Sequence, residues 1–271
     1  MLKNLTTCLL AMLSVAVISC KKSERLPEQT QATVSQQVLD QINKLGFSTE
    51  NVISRDGGYL VEGDILLTDE NLKANVNSPN LRIAEDEQYR TTNLVTGLPR
   101  VITVSVSNMT SPYSQATDLA IDRYNAQNLR ITFQRVSSGG NITIVGFNEG
   151  PSGGYITLGS AGFPTSSGNP YSQIRMNTNE AAYGSDPDVD YLASVLTHEM
   201  GHCIGFRHTD YMDRSYSCGG RRSNEGKAGI GAIRIPGTPS KPDAESWMLA
   251  CSNGGNRLFN ANDVIALNYL Y

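Results

Sequence analysis

The stretch His198-Glu199-Met200-Gly201-His202-Cys203-Ile204-Gly205-Phe206-Arg207-His208 guides the interpretation of the whole chain. His198 and His202 are four residues apart, so on a helix their side chains lie one above the other on the same face. Two imidazoles placed in this way can share one zinc ion. Glu199 would lie beside them, close to a water molecule on the metal rather than to the metal itself.

Gly205 allows the chain to leave this helix in a sharp turn, because glycine adopts positive φ at little cost. Such a turn would bring His208 round as a third ligand. Three protein ligands leave the fourth position of zinc to water, which is the arrangement of a catalytic rather than a structural site. The stretch therefore predicts one catalytic Zn²⁺ held by His198, His202 and His208, with Glu199 as the general base.

The histidine content supports this interpretation. The chain contains 3 histidines, and all of them fall within the eleven-residue stretch. A lone His-Glu-x-x-His is weak evidence, but a glycine and a third histidine at fixed offsets make chance a poor explanation. Incidental core or surface histidines are therefore disfavoured. A Ser-His or Cys-His nucleophile would need a histidine that the zinc already uses.

The same stretch resembles the zinc-binding motif of the metzincin metallopeptidases. Metzincins have a methionine-containing turn beneath the zinc, and Ser246-Trp247-Met248 is the best match here. The alternative is that Met248 is an ordinary core methionine. The resemblance implies a zinc-dependent endopeptidase that acts on protein or peptide substrates. It also implies a zincin fold with a loop-rich C-terminal subdomain.

Other segments resemble narrower groups. The histidine stretch with Thr209-Asp210, and the closing residues 259–263 and 269–271, look like the bacterial protease B family. Similarity to astacins is more distant. Astacins carry Glu after the third histidine, where this chain has Thr209, and Tyr two residues after the Met-turn methionine, where it has Ala250. No fifth zinc ligand is therefore expected.

Two tyrosines and one aspartate complete the candidate residues of the site. Tyr211 and Tyr216 could each help to stabilise an oxyanion, and nothing in the sequence selects between them. Val61-Glu62-Gly63-Asp64-Ile65 resembles the FxGDI motif of astacin propeptides, whose Asp occupies the water site of the zinc and keeps the enzyme latent. The resemblance implies that Asp64 is a latency ligand. The alternative is a β-turn in a small accessory domain, where Gly-Asp is common.

Hydrophobic spacing divides the chain into regions. Residues 34–46 predict a helix ended by Gly46, and 58–67 predict an extended segment. This part has too little core to stand alone. We interpret 34–88 as a pro-region or small accessory region, called the pre-region below, and 89–271 as the catalytic domain.

The catalytic domain shows alternating strand and helix patterns. The order β-α-β-β-β-β-α predicts an α+β fold with a twisted, mostly parallel sheet, an active-site helix and a final helix. The Gly-rich segment 153–168 is the candidate edge strand on which a peptide would add as a further strand. The predicted strands are 100–106, 130–136, 141–147, 154–159 and 173–177, and the predicted helices are 111–126, 187–203 and 263–270, the last capped by Asn262.

The first residues predict export. A basic start, an apolar run over 5–19 and Cys20 resemble a bacterial lipoprotein signal, and the run is too short to span a bilayer comfortably. The alternative is an ordinary signal peptide with an accidental cysteine. We expect a signal peptide over 1–19, lipid on Cys20 as a membrane anchor, and a tether over 20–33. The protein would reside in the cell envelope, at the outer membrane or cell surface, or be secreted after processing.

Composition and cysteine content narrow the partners and cross-links. The net charge of −4 is small and gives no indication of a basic surface that would bind nucleic acid. A monomer is expected. Export favours a disulfide. Without Cys8, removed with the signal, and Cys20, three cysteines remain, and we expect Cys218–Cys251 to pair and Cys203 to stay a thiol.

Two other functions stay open. One is a catalytically silent envelope lipoprotein that uses the fold for binding, although an intact Glu199 argues against it. The other is a hydrolase that acts on a non-peptide bond.

Overall fold

A five-stranded sheet forms the centre of the catalytic domain in the computed structural model, which describes residues 33–45, 47–55, 57–73, 88–152, 154–225, 231–239 and 241–271. Its strands are β5 (Arg100–Ser107), β6 (Ile131–Arg135), β7 (Ile142–Phe147), β8 (Gly159–Ser160) and β9 (Gln173–Asn177). They lie in the order β6-β5-β7-β9-β8. The first four strands in this order are parallel, and β8 is antiparallel to β9. The predicted α+β, zincin-type fold with a mostly parallel sheet is confirmed.

Two long helices pack against each other beside this sheet, α3 (Ser111–Asn125) and α5 (Val189–Ile204). Pro112 begins α3, where its missing N–H costs nothing. Asp188 caps α5 by accepting a hydrogen bond from the Tyr191 N–H. Apolar side chains from the inner faces of the sheet and both helices form one continuous buried core, which Trp247, Met248 and the final helix complete.

Gly205 ends α5 with φ of 107°. A Cβ atom there would lie 2.8 Å from Leu94 Cδ2 and 3.1 Å from the Asn93 carbonyl oxygen. Both the backbone conformation and the close approach of residues 93–94 therefore require glycine. The turn directs the chain toward His208, as the sequence predicts.

The pre-region forms a small layered unit. It contains α1 (Gln36–Lys44), β1 (Ile53–Arg55), β2 (Gly58–Val61), β3 (Ile65–Leu67) and α2 (Asp69–Leu72), with the strands in one antiparallel sheet. Its buried core of Ile42, Leu45, Phe47, Val61, Ile65, Leu67 and Leu72 also includes Phe163 of the catalytic domain.

Several predicted elements differ in the structure. The segment 58–67 is a hairpin rather than one extended strand, because Glu62 and Gly63 turn the chain with positive φ. Residues 154–158 are not a strand, and only Gly159–Ser160 pairs with β9. Asn262 does not cap the final helix α7 (Ala261–Leu270); Asn260 does, since its side chain accepts from the N–H groups of Asn262 and Asp263. The predicted Gly46 cap lies outside the described residues.

Short elements complete the described chain: β4 (Tyr89–Arg90), α4 (Glu180–Tyr183), α6 (Ser215–Cys218) and β10 (Ile233–Arg234). β4 pairs with β10 in a separate two-stranded sheet. Within the described ranges, no helix has the length and apolar character needed to cross a membrane. The signal peptide, Cys20 and almost all of the tether lie outside those ranges.

Candidate active site

The three histidines converge on one point. His198 and His202 project from the C-terminal half of α5, and His208 follows the turn at Gly205. The Nε2 atoms of His202 and His208 are 3.2 Å apart. Ligand atoms of His198, His202, His208 and Asp64 all lie within 4.8 Å of one another. The structure therefore brings the three sequence-predicted ligands together with the predicted latency ligand.

Each imidazole is held through its Nδ1 atom. His198 Nδ1 lies 2.9 Å from the Trp247 carbonyl oxygen, and His202 Nδ1 lies 2.9 Å from that of Phe206. His208 Nδ1 lies 2.7 Å from Glu225 Oε1. All three partners are acceptors, so each Nδ1 carries the proton and donates it. This arrangement leaves the three Nε2 atoms directed at the shared point.

This donor set fits a metal ion. His198 Nε2 is buried and has no hydrogen-bond partner among the described residues. Burial holds the pKa of His202 well below its usual value, as the neutral ligand form requires. Burial would also lower the pKa of His208, but Asp64 and Glu225 hold it well above its usual value. Three imidazoles and a carboxylate form a set that suits zinc; a metal would displace the proton from His208.

Glu199 lies beside this point on α5 and is 2% exposed. Its Oε2 atom is buried with no hydrogen-bond partner among the described residues. Burial, and then the charge of Asp64, raise the pKa of Glu199 well above its usual value. A Cβ atom at Gly159 would lie 2.8 Å from Glu199 Oε1, so the glycine makes room for this carboxylate. A raised carboxyl pKa next to a metal-type donor set is typical of a general acid or base.

Asp64 reaches the same point from the turn between β2 and β3. Its Oδ2 atom is 3.0 Å from His208 Nε2 and 3.6 Å from His198 Nε2. Burial would raise the pKa of Asp64, but His208 and His198 hold it well below its usual range. The Asp64 carboxylate therefore lies within reach of the same ion that the three histidines could hold.

The backbone around Asp64 pairs with the sheet edge beyond β8. The Ala161 N–H donates to the Asp64 carbonyl oxygen at 2.9 Å, and the Leu66 N–H donates to the Ala161 carbonyl oxygen at 2.9 Å. Ala161 lies within the predicted edge segment 153–168. The pre-region thus covers the part of that edge closest to the histidines.

The predicted Met-turn residue lies directly below α5. Met248 is fully buried, and a Cβ atom at Gly201 would lie 2.6 Å from Met248 Sδ. Its neighbour Trp247 supplies the carbonyl oxygen that fixes His198. Asp263 stabilises this turn. Its carboxylate accepts hydrogen bonds from the Ser246 hydroxyl at 3.1 Å and from the Trp247 N–H at 3.3 Å.

The structure also shows contacts of the two candidate tyrosines and the state of the three cysteines. Tyr211 is buried with its ring 4.2 Å from that of Tyr89. The Tyr216 hydroxyl donates to the Pro242 carbonyl oxygen at 3.0 Å. Cys218 and Cys251 form a disulfide, and Cys203 is a buried thiol.

Sequence reasoning missed the charged residues that support His208. Glu225 is fully buried; it accepts from His208 and lies 3.3 Å from Arg207 Nη2 and 3.2 Å from Arg214 Nε. Glu62 of the pre-region joins this cluster at 3.7 Å from Arg207 Nη2. Glu225 belongs to no recognisable motif, so no sequence signal identifies it. Glu62 is part of the motif around Asp64 and was not singled out.

A family model described as "Dual-action HEIGH metallo-peptidase" matches residues 59–271. The chain belongs to this family. It is therefore a metallopeptidase, and proteins or peptides are its substrates. His198–His202 matches the letters HEIGH of that description at four of five positions and carries Met200 in place of isoleucine. The matched range also includes the turn with Glu62 and Asp64.

Other comparisons add less detail. Two solved structures of myroilysin are similar to this metallopeptidase. One is 15% identical and covers 63% of this chain and 79% of its own, with a TM-score of 0.38. The other is 16% identical and covers 74% of this chain and 95% of its own, with a TM-score of 0.38. No curated protein sequence matches.

Proposed function

We propose that this metallopeptidase is a zinc-dependent endopeptidase of the metzincin type. One observation carries the proposal: three imidazole Nε2 atoms converge beside a buried Glu199 carboxylate whose Oε2 has no partner among the described residues. Met248 beneath the active-site helix supports the metzincin assignment. The finer resemblance to the protease B group rests on the sequence motifs alone.

Glu199 would act as the general base and then as the acid. When bound, zinc polarises the scissile carbonyl and lowers the pKa of a water molecule. Glu199 accepts the proton of the attacking water at its carboxylate and passes it to the nitrogen of the leaving amine. Burial raises the pKa of Glu199, and a carboxyl group with a raised pKa can hold the proton between the two steps.

The histidine contacts would keep the ligands in place through these steps. Hydrogen bonds from Nδ1 to the Trp247 carbonyl, the Phe206 carbonyl and Glu225 fix the three rings, so a metal meets a preorganised set of Nε2 atoms. A peptide would bind along the sheet edge near Ala161, where backbone groups now pair with residues 64–66.

We further propose that the full chain is a latent precursor. Asp64 would hold the fourth ligand position of the zinc and exclude the attacking water. Its position 3.0 Å from His208 Nε2, and the pairing of residues 64–66 with the sheet edge, support this role. Activation would then require cleavage within the polar stretch 68–88 and departure of the pre-region.

Export as a lipoprotein also belongs to the proposal. The signal over 1–19 and the lipid on Cys20 rest on the N-terminal sequence alone, as does the tether over 20–33. Intact mass determination of the protein purified from membranes tests both. A mature chain beginning with a diacylated Cys20 would support anchoring, whereas a chain that begins elsewhere would contradict it.

An assay on denatured protein substrates tests the peptidase activity itself. The full chain is first nicked by a serine protease, which is then irreversibly inactivated. The nicked wild type is incubated with the substrate and zinc, or with zinc and excess chelator; the nicked Glu199→Gln variant is incubated with the substrate and zinc, and new N-termini are measured by mass spectrometry. Internal cleavage that chelator and the variant both abolish is expected. A protein that binds peptides without cleaving them would instead be a silent binding protein.

A further inference from the structure

The pre-region carries a second buried carboxylate next to Asp64. Glu62 adopts φ of 56°, a backbone conformation that non-glycine residues rarely adopt, and its side chain is fully buried. Its Oε1 atom accepts from the Ser48 N–H at 3.3 Å, and its Oε2 atom lies 3.7 Å from Arg207 Nη2. A buried carboxylate is costly unless it meets a positive charge. Glu62 finds that charge in the catalytic domain.

Glu62 faces the guanidinium groups of Arg207 and Arg214, which are together called the wall below. Arg207 is fully buried, and the Phe47 ring covers its guanidinium carbon at 4.7 Å. Arg214 lies on the other side of the turn, with Nη2 3.9 Å from the Cβ position of Gly63. Both arginines share the carboxylate of Glu225, at 3.3 Å and 3.2 Å respectively. Glu62 brings a second carboxyl group to this wall; burial and the charge of Glu225 raise the pKa of Glu62 well above its usual value, and the charge of Arg207 opposes that rise.

The pre-region provides the cover over this wall. Phe47 shields one face of the Arg207 guanidinium, and the Glu62-Gly63 turn lies against Arg207 and Arg214. When the pre-region leaves, these contacts are lost and Glu225 remains shared between two positive groups. The uncovered wall then has the charge and the directional N–H donors that bind a carboxylate.

The wall adjoins the reaction centre. Asp64, two residues after Glu62, lies 3.0 Å from His208 Nε2, and Glu225 links both arginines to His208 Nδ1. Residues 64–66 pair with Ala161 as a bound peptide would. A side chain in the position of Glu62 would therefore belong to a residue close to the scissile bond.

We propose that Arg207 and Arg214 form a carboxylate-binding subsite, which Glu62 fills in the full chain and which selects substrates with Glu or Asp within about three residues of the scissile bond. This inference rests on the proposed peptidase activity. It assigns to Glu62 the role of a substrate side chain, whereas Asp64 takes the place of water.

Matched peptides test the subsite. The full chain is nicked by a serine protease, which is then irreversibly inactivated, and release of the pre-region is followed by mass spectrometry. Two peptide pools are offered that differ only in Glu and Asp against Gln and Asn. Wild type is expected to cleave the acidic pool with kcat/KM about 10-fold higher or more, the range of a charge-assisted hydrogen bond.

Substitutions then test whether the two arginines cause the preference for acidic peptides. Arg214→Gln, at a residue 20% exposed in its side chain, is expected to lower the ratio between pools several-fold, mainly through KM. Arg207→Lys keeps the positive charge but loses the paired N–H donors of the guanidinium group. It serves as a second variant should Arg214→Gln fold poorly. Arg222→Gln is the control, because Arg222 is 79% exposed and pairs with Asp213. Its ratio of kcat/KM between the acidic and the amide pool should stay at the wild-type value.

The possible results distinguish the subsite proposal from the peptidase proposal. Cleavage of both pools at equal rates by wild type overturns the subsite and leaves the peptidase proposal intact. An acidic preference that Arg214→Gln and Arg207→Lys both retain in full also overturns it. No cleavage of either pool by the zinc-loaded, nicked protein overturns the peptidase proposal and the subsite with it.

Discussion

Asp64 Oδ2 lies 3.0 Å from His208 Nε2, although 144 residues separate them in the chain. The contact places a carboxylate of the pre-region at the histidine cluster, where burial and the charge of this carboxylate raise the pKa of Glu199. Binding of Asp64 at the fourth ligand position and binding of the attacking water are then mutually exclusive. The proposed activity and the proposed latency therefore both depend on where Asp64 Oδ2 lies.

The first prediction concerns that contact. Asp64→Ala should make the full chain active from the first minute, or make it process itself faster, because no side chain then competes for the fourth ligand position. The measurement is the initial rate of cleavage of a denatured protein by the full chain. Glu70→Ala, an exposed carboxylate in the same region, is the matched control and should remain nearly inert. Equal initial rates for wild type and Asp64→Ala would show that Asp64 is only a turn residue.

The second prediction concerns Glu199. Glu199→Gln keeps the side-chain volume next to Gly159, so the fold and the zinc content should be retained while proteolysis falls by roughly 10²–10⁴-fold, the contribution of a general base. Initial rates and zinc content are measured on the same preparation, after nicking of the full chain. Activity within a few-fold of wild type would remove Glu199 from the mechanism.

The third prediction concerns the packing of Met248 against α5. Gly201→Ala places a methyl group 2.6 Å from Met248 Sδ, so the free energy of unfolding should fall by about 1–3 kcal/mol. Denaturant unfolding measures the change. In a Met248→Ala background, where the clash is absent, most of this penalty should disappear. A penalty that persists in that background would mean that the Met248 contact is not its cause.

The fourth prediction concerns sulfur. Peptide mapping without reduction should yield a linked pair containing Cys218 and Cys251, and Cys203 should react with a thiol reagent only after unfolding. Removing the bridge with the Cys218→Ser/Cys251→Ser pair should lower the free energy of unfolding by about 3–4 kcal/mol, since the bridge closes a loop across 33 positions. A bridge that contains Cys203 would show the pairing to be wrong.

The local parts of the site could be predicted from the sequence because they depend on short-range geometry. Spacing of four residues places His198 and His202 on one helical face whatever the rest of the chain does. Gly205 then permits the turn that leads to His208. Strands β5 and β7 could also be predicted, since each is rich in branched apolar residues and is bounded by turn signals.

The parts that depend on tertiary contacts could not be predicted. Glu225 reaches His208 from a loop 17 residues away, and no periodicity governs a loop. β8 is 2 residues long, too short for a pattern. Asn260 and Asn262 have similar capping propensities, and the hydrogen bonds of the folded loop select Asn260. The hairpin at Glu62 was missed because a glutamate with positive φ is uncommon and is stabilised here by Arg207.

Zinc content per chain is the most direct test of the central claim, that His198, His202 and His208 hold one catalytic zinc. Metal analysis and native mass spectrometry are applied to the full chain and to His202→Ala, with circular dichroism to verify that the variant is folded. We predict one zinc per wild-type chain and a loss of zinc in His202→Ala. Equal zinc in both proteins, or a folded wild type that takes up none from excess zinc, would contradict the account.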